Sequence, residues 1–209
     1  MDASLTRDPY HPRDYPLLIV ISGPSGVGKD SVVHALEERR HPFHFVVTTT
    51  SRPQRPGETH GVDYYFVSDE RFEEMIANDE LLEHAIVYGQ HKGVHKQQVR
   101  EALESGMDVV MRLDVQGATT VKGLVEDAVL IFLSAGSEDE LRQRLRKRGT
   151  ETEVEIGRRL EETQEELTYL GEFDYLVLNR HNRLDAAVDQ IMAIIRTEHC
   201  RVHPRQVTL

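Results

Sequence analysis

The feature that most narrows the fold lies between residues 17 and 39. An apolar run, "LLIVIS", passes directly into "GPSGVGKD" at Gly23–Asp30 and then into a stretch of helical periodicity. A short apolar run bounded by turn residues reads as a buried strand. Three glycines, Gly23, Gly26 and Gly28, let the backbone turn tightly and aim its N–H groups at an anion. The helix that follows presents its positive end to the same point. Lys29 can reach between the terminal phosphates of a nucleotide. Strand, G-x-x-x-x-G-K and helix in register make a phosphate-binding loop from Gly23, Pro24, Ser25, Gly26, Val27, Gly28 and Lys29, continuing into Asp30 and Ser31. Asp30 stands where such loops carry a hydroxyl that ligates magnesium. A carboxylate can ligate magnesium too, but it adds negative charge beside phosphates unless a cation lies between.

The remainder alternates apolar runs with amphipathic stretches, the pattern of a parallel sheet flanked by helices. Strands are expected at 17–22, 44–47, 107–113, 128–133 and 175–179, and helices near 29–39, 69–78, 95–105, 115–124, 137–148, 151–170 and 182–199. Two segments break the alternation. Residues 48–93 read as a small mixed insertion with strands near "DYYFV" and "LLEHAIVYG". Residues 137–160 are charged and helical, interrupted where Gly149 can end one helix and Thr150 or Thr152 can cap the next. The expected architecture is therefore one α/β core (16–47, 94–136 and 161–200) with an insertion at 48–93, a helical lid at 137–160, a flexible tail at 1–15 and a C-terminal tail at 201–209.

Composition excludes several functions. A net charge of −11 argues against nucleic acid or membrane surface as the main partner. The basic island "RQRLRKR" at 142–148 still leaves room for a local anionic ligand. The single cysteine, Cys200, permits neither an internal disulfide nor a cysteine metal cluster, which suits a reducing compartment. No run approaches the ~18 apolar residues of a membrane span. The N-terminus lacks the apolar core of a secretory signal, so a cytoplasmic location is expected.

A second phosphate clamp is readable in "TTTSRPQRPGETHGVDYYF" at 48–66. Arg52 and Arg55 are three apart, each followed by a proline that restricts the backbone, and two guanidinium forks suit a phosphate with several oxygens. Tyr64 adds a hydroxyl. With "SGPSGVGK", this stretch, "LLEHAIVYG", "LDVQGA", "RLRKRGTETEVEIGRRL" and "FDYLVLN" in order, residues 16–200 resemble guanylate kinases. The resemblance implies a P-loop nucleoside monophosphate kinase fold: a parallel five-stranded core sheet, a mixed α/β GMP-binding insertion and a helical lid. It implies phosphoryl transfer from ATP to GMP, with magnesium accompanying ATP and the two nucleotides as partners of a monomer or homodimer. By the same resemblance Arg52, Arg55 and Tyr64 hold the GMP phosphate, with Lys92 nearby. Thr48 and Glu83 contact guanine, and Asp114 is the second acid of the family's D-x-D. Arg144, Arg148 and Arg159 are the lid arginines that act with Lys29 in catalysis, and Asn179 lies near adenine.

Four positions depart from the family pattern. Asp30 replaces a hydroxyl residue, Arg112 replaces the first acid of D-x-D, Lys92 replaces a tyrosine, and Val94 replaces a serine or threonine. Asp30 and Arg112 exchange the signs of charge across one gap, which predicts an ion pair between them; the competing expectation makes Asp30 a direct magnesium ligand. The combination resembles guanylate kinases of plant organelles. Two other functions share the scaffold. A non-catalytic binding module typically lacks the loop lysine and lid arginines, which are present here. A kinase for a different acceptor is opposed by Glu83, Arg52, Arg55 and Tyr64.

Overall fold

The computed structural model describes residues 15–87, 89–147 and 153–209. The capping positions Gly149, Thr150 and Thr152, together with Arg148 and the segment 1–14, lie outside the described residues. The order of elements is β1 (Leu18–Ser22), α1 (Lys29–Glu38), β2 (Phe43–Phe45), β3 (Thr49–Thr50), β4 (Tyr65–Phe66), α2 (Asp69–Ala77), β5 (Leu81–Val87), β6 (Gln90–His95), α3 (Lys96–Glu104), β7 (Asp108–Arg112), α4 (Val115–Leu124), β8 (Val129–Ala135), α5 (Glu138–Lys147), α6 (Glu153–Leu167), a 3-10 turn (Thr168–Glu172), β9 (Tyr175–Asn179) and α7 (Leu184–His199).

Five strands form one parallel sheet in the order β2-β7-β1-β8-β9. Every residue of β1 is buried, because helices cover both sheet faces. The two-residue period of a strand sorts its side chains between two cores. Ile19 and Ile21 join Val129, Ile131 and Leu133 on the face covered by α1 and α7. Leu18 and Val20 join Val109, Met111 and Leu130 on the face covered by α3 and α4. Burying each such side chain contributes roughly 1.5–3 kcal/mol.

The second sheet, ordered β4-β3-β6-β5, is mixed: β3 and β4 run parallel, while β6 is antiparallel to both β3 and β5. Beneath it Phe72, Met75 and Leu81 make a small separate core, with Phe72 stacked on His91 at 5.0 Å. Strands β3 and β6 were not expected. Two residues carry too little pattern to read, and "QHKGVH" has no apolar alternation; the hairpin with β5 makes it a strand. His91 and His95 therefore lie on a strand, not a helix. The long helix expected at 151–170 is shorter, with α6 giving way to the 3-10 turn at Thr168.

The C-terminal segment is no loose tail. Arg205 donates to Glu198 at 2.8 Å and lies 3.4 Å from Asp174, and the Gln206 N–H donates to Asp127 at 3.1 Å. Glu198 is buried and also accepts from the Tyr175 hydroxyl. Burial alone would raise its pKa, but the Arg205 and Tyr175 donors outweigh burial and hold it below the usual carboxylate value. Burial and the Glu198 bond push Tyr175 up to about 12. The segment thus straps α7 to the β8–β9 edge. Removing one partner of a buried ion pair strands the other charge, at about 3–5 kcal/mol. Arg205→Ala is expected to lower the urea midpoint of unfolding by the equivalent of about 3 kcal/mol. An unchanged midpoint would mean the strap contributes nothing to stability.

Candidate active site

The phosphate loop leaves β1 at its C-terminal end and enters α1 at Lys29. Gly23, Gly26 and Gly28 have φ of 136°, 87° and 96°, a region that L side chains rarely adopt. Space adds to this at two positions, against backbone at Gly23 and against a side-chain amide at Gly28. A Cβ on Gly23 would stand 2.0 Å from the Leu133 carbonyl oxygen, and one on Gly28 would stand 2.6 Å from Asn179 Nδ2. The Lys29 ammonium curls back, donating to the Gly23 carbonyl and to the Pro24 carbonyl at 3.2 Å. Burial pushes it below its ordinary value, while Glu166, Asp30 and Asp114 pull it upward.

Strand β9 and helices α5 and α6 brace the loop. Asn179 Nδ2, at the end of β9, donates to the Val27 carbonyl at 2.8 Å. Arg144 of α5 donates to the Val27 carbonyl at 2.8 Å and to the Asn179 carbonyl at 2.5 Å. Arg159 of α6 donates to Ser25 Oγ at 2.7 Å. Two helical turns further along, Glu166 lines the same cleft as Ser25 and Lys29. Burial raises the Glu166 pKa, and the Lys29 ammonium opposes that rise. Glu166 was not expected from the sequence. The usable signal was spacing: Arg159, Thr163 and Glu166 follow i, i+4, i+7 and so share a helix face.

In front of the loop lies a cleft of ≈ 280 Å³. It brings together Pro24, Ser25, Gly26, Gly28, Lys29 and Asp30 from the loop with Thr48, Tyr64, Glu83, Lys92 and Asp114 from the small sheet and the β7–α4 junction. Arg112 and Glu166 complete its polar lining. Gly23, Val27 and Asn179 stand behind this surface, and Ser31 is exposed on α1. Val94 is buried in the core with Leu82 and Val99, away from the cleft lining.

Glu83 is the cleft's most unusual group. It is 6% exposed, and its Oε2 has no hydrogen-bond partner. Gly117 at the start of α4 makes room, since a Cβ there would lie 3.0 Å from Glu83 Oε2. Burial first and the Asp114 charge second raise the Glu83 pKa to about 7. Asp114 itself caps α4, accepting from the Gly117 N–H at 2.8 Å.

Two of the expected phosphate arginines do not line the cleft. Arg52 is 7% exposed, bonded to both Glu58 oxygens, one at 2.7 Å, and to the Pro53 carbonyl at 2.9 Å. Its guanidinium lies over the Tyr64 and Phe66 rings at 4.9 and 5.3 Å. The Arg52 bonds, with the Arg55 N–H, hold the Glu58 carboxyl down at about 2. Arg55 is exposed. Arg52 thus reaches the cleft only through the Tyr64 ring.

The expected pair is present: Arg112 Nη1 stands 2.5 Å from Asp30 Oδ1. Arg112 Nη2 also donates to the Tyr64 hydroxyl at 3.4 Å. This pair leaves Asp30 Oδ2 available at an exposed position. Among the described residues, no group of three or more histidine, cysteine, aspartate or glutamate side chains is placed to hold a metal ion. Such a donor set fits magnesium that arrives on nucleotide phosphates and keeps most of its waters, with one carboxylate at hand.

Comparison with known proteins gives the lineage. The guanylate kinase family model matches residues 15–198. Guanylate kinase 2, chloroplastic/mitochondrial, of Oryza sativa subsp. japonica is 46% identical over 210 residues, covering 100% of this chain and 74% of that protein. A guanylate kinase of Caldanaerobacter subterraneus is 45% identical over 186 residues, covering 89% of each chain. The crystal structure of guanylate kinase from Anaplasma phagocytophilum superposes with a TM-score of 0.75 at 28% identity, covering 91% of this chain and 90% of that one. The chain belongs to the guanylate kinase family.

Proposed function

We propose that the cleft binds GMP opposite ATP and transfers the γ-phosphoryl group in line, giving ADP and GDP. The observation that carries this reading is Glu83 Oε2, a buried acceptor without a partner in a cleft built on a phosphate loop. Guanine offers N1–H and a 2-amino group side by side, two donors for one carboxylate. Adenine presents an acceptor at N1 and would leave Glu83 unpaired, a mismatch of about 1–3 kcal/mol. Thr48 lies in the same cleft to contact the base.

The remaining residues deal with charge. The transition state spreads negative charge over the transferred oxygens, so fixed cations and N–H donors are the main catalytic devices. The loop amides and Lys29 hold the donor phosphates, and Lys29 turns from its own loop carbonyls to do so. Tyr64 and Lys92 hold the acceptor phosphate, with Arg52 and Arg55 closing on it from the small sheet. Arg144 and Arg159, now bonded to the loop, and Arg148 neutralise the transferred group and exclude water when the lid closes over ATP. Magnesium arriving with ATP would supply charge neutralisation there, and Asp30 is the loop-side carboxylate that could help hold it. A single exposed cysteine, Cys200, supports placement in a reducing cytoplasm.

Two measurements test this reading. Magnesium-dependent ADP release, compared for GMP, deoxy-GMP, AMP, UMP and CMP, is expected to run fastest with GMP, with AMP slower by ~100-fold or more. No turnover with GMP would overturn the reading, and equal turnover with AMP would overturn the role of Glu83. The second measurement uses pH. Glu83 has a folded pKa of about 7 against an ordinary 4.5, so its protonated form favours the fold. Its contribution is complete below pH 4.5 and is lost as pH rises through about 7. Glu83→Gln is therefore expected to be more stable than the wild type at pH 8, by on the order of 3 kcal/mol at most, with the two converging toward pH 5. The wild-type KM for GMP should fall as pH rises through about 7, as the carboxylate forms; in Glu83→Gln that dependence should vanish.

A further inference from the structure

We infer that Arg112 is a ligand of the acceptor phosphate, a role the resemblance gives to Arg52, Arg55 and Tyr64. This inference rests on the GMP kinase reading and deepens it. Arg112 is the last residue of β7, beside Ile21 of β1. Its side chain therefore emerges at the carboxyl edge of the parallel sheet, where ligands of open α/β sheets bind. It is the one arginine lining the cleft among the described residues.

The side chain is aimed from both sides. Asp30, next to Lys29 in the donor loop, holds Nη1 at 2.5 Å. The Tyr64 hydroxyl, from the residue just before β4, accepts from Nη2 at 3.4 Å, which is long for a hydrogen bond. A guanidinium has five N–H donors in a fixed fork, and these two contacts engage two of them. Arg112 is 30% exposed and lines the cleft, so its other donors remain for a ligand there. The phosphate oxygens of an acceptor held by Tyr64 and Lys92 would meet those donors directly. Tyr64, accepting from Arg112, keeps its own O–H for the same phosphate. Arg52 does not line the cleft and would first have to turn from Glu58, which holds both ends of its fork, before closing on that phosphate.

The same geometry explains the charge exchange with Asp30. Asp30 is 75% exposed, and an exposed pair of this kind contributes little to stability. Its use is orientation: it fixes the plane of the Arg112 fork between donor loop and acceptor clamp. Arg112 is then the side chain that touches both halves of the site, and Asp30 is its positioning residue.

The test is steady-state kinetics on the full-length chain with Arg112→Gln, Arg112→Lys and the double variant Asp30→Ser/Arg112→Gln. Folding is monitored by circular dichroism. Arg112→Gln is expected to raise the KM for GMP about 10- to 100-fold, the loss of one charged hydrogen bond. The KM for ATP should change by less than about twofold, and inhibition by guanosine, which lacks the phosphate, should be unaltered. Arg112→Lys should fall between, since it keeps the charge and loses the fork. The double variant separates a ligand from a mere counter-ion. If Arg112 binds the acceptor phosphate, removing Asp30 leaves the GMP defect in place. Recovery of the wild-type KM for GMP in the double variant would show that Arg112 only neutralises Asp30 and would overturn the inference. An unchanged KM for GMP in Arg112→Gln, or a rise confined to ATP, would overturn it as well. A wild-type enzyme inactive on GMP would defeat the reading beneath it, an outcome distinct from all of these.

Discussion

The structure depends on one close approach: the backbone of Gly23 against the carbonyl of Leu133, with no room for even a methyl group between them. That contact lets β1 and β8 pair up to Ser22 and Phe132 and still release the chain into a loop. Everything placed around the cleft takes its position from this turn. Helix α1 starts where the loop ends, Asp30 points toward β7 because α1 does, and α5 and α6 close on the loop through Arg144 and Arg159. A looser turn would move the donors of the loop, the anchor of Arg112 and the seats of Arg144 and Arg159 together.

Around that turn the site is made of two charge systems that share few side chains. Behind the loop, arginines satisfy backbone carbonyls at Val27 and Asn179 and the Ser25 hydroxyl. In front, acids and cations are mixed: Asp30, Asp114, Glu83 and Glu166 beside Lys29, Lys92 and Arg112. The acids are differently occupied. Asp30 has an arginine and Asp114 a helix N–H, whereas one Glu83 oxygen has nothing. An unpaired buried acceptor is expensive to maintain, so its natural complement is a ligand that brings donors.

Much of this was legible in the sequence. Strand β9 was bounded to the residue, because "YLVLN" is apolar between clear breakers. The Asp30–Arg112 pair was legible because two departures of opposite sign fell on positions that the fold makes neighbours. What stayed hidden had no period and no partner in sequence. Strand β6 contains a lysine, two histidines and a glycine, and only its pairing with β5 makes it a strand. The clasp of Glu58 on Arg52 turns an expected phosphate ligand inward, and the two lie six positions apart in a loop. The C-terminal strap rests on Asp127, Asp174 and Glu198, three acids scattered over 72 positions that become neighbours through the β8–β9 edge.

Glu166 changes what the phosphate loop can select. A ring of N–H donors beside an ammonium is attractive to any anion, including the small carboxylic acids that abound in a cell. Here one carboxylate, tethered to α6 and therefore at high effective concentration, already lines the cleft with Ser25 and Lys29. A free carboxylate entering there would meet a group of its own charge and gain little. A polyphosphate brings several oxygens and more charge to the same donors. The cleft in front of the loop is in this sense pre-competed, and the carboxylate beside it raises the charge density that a visitor must bring.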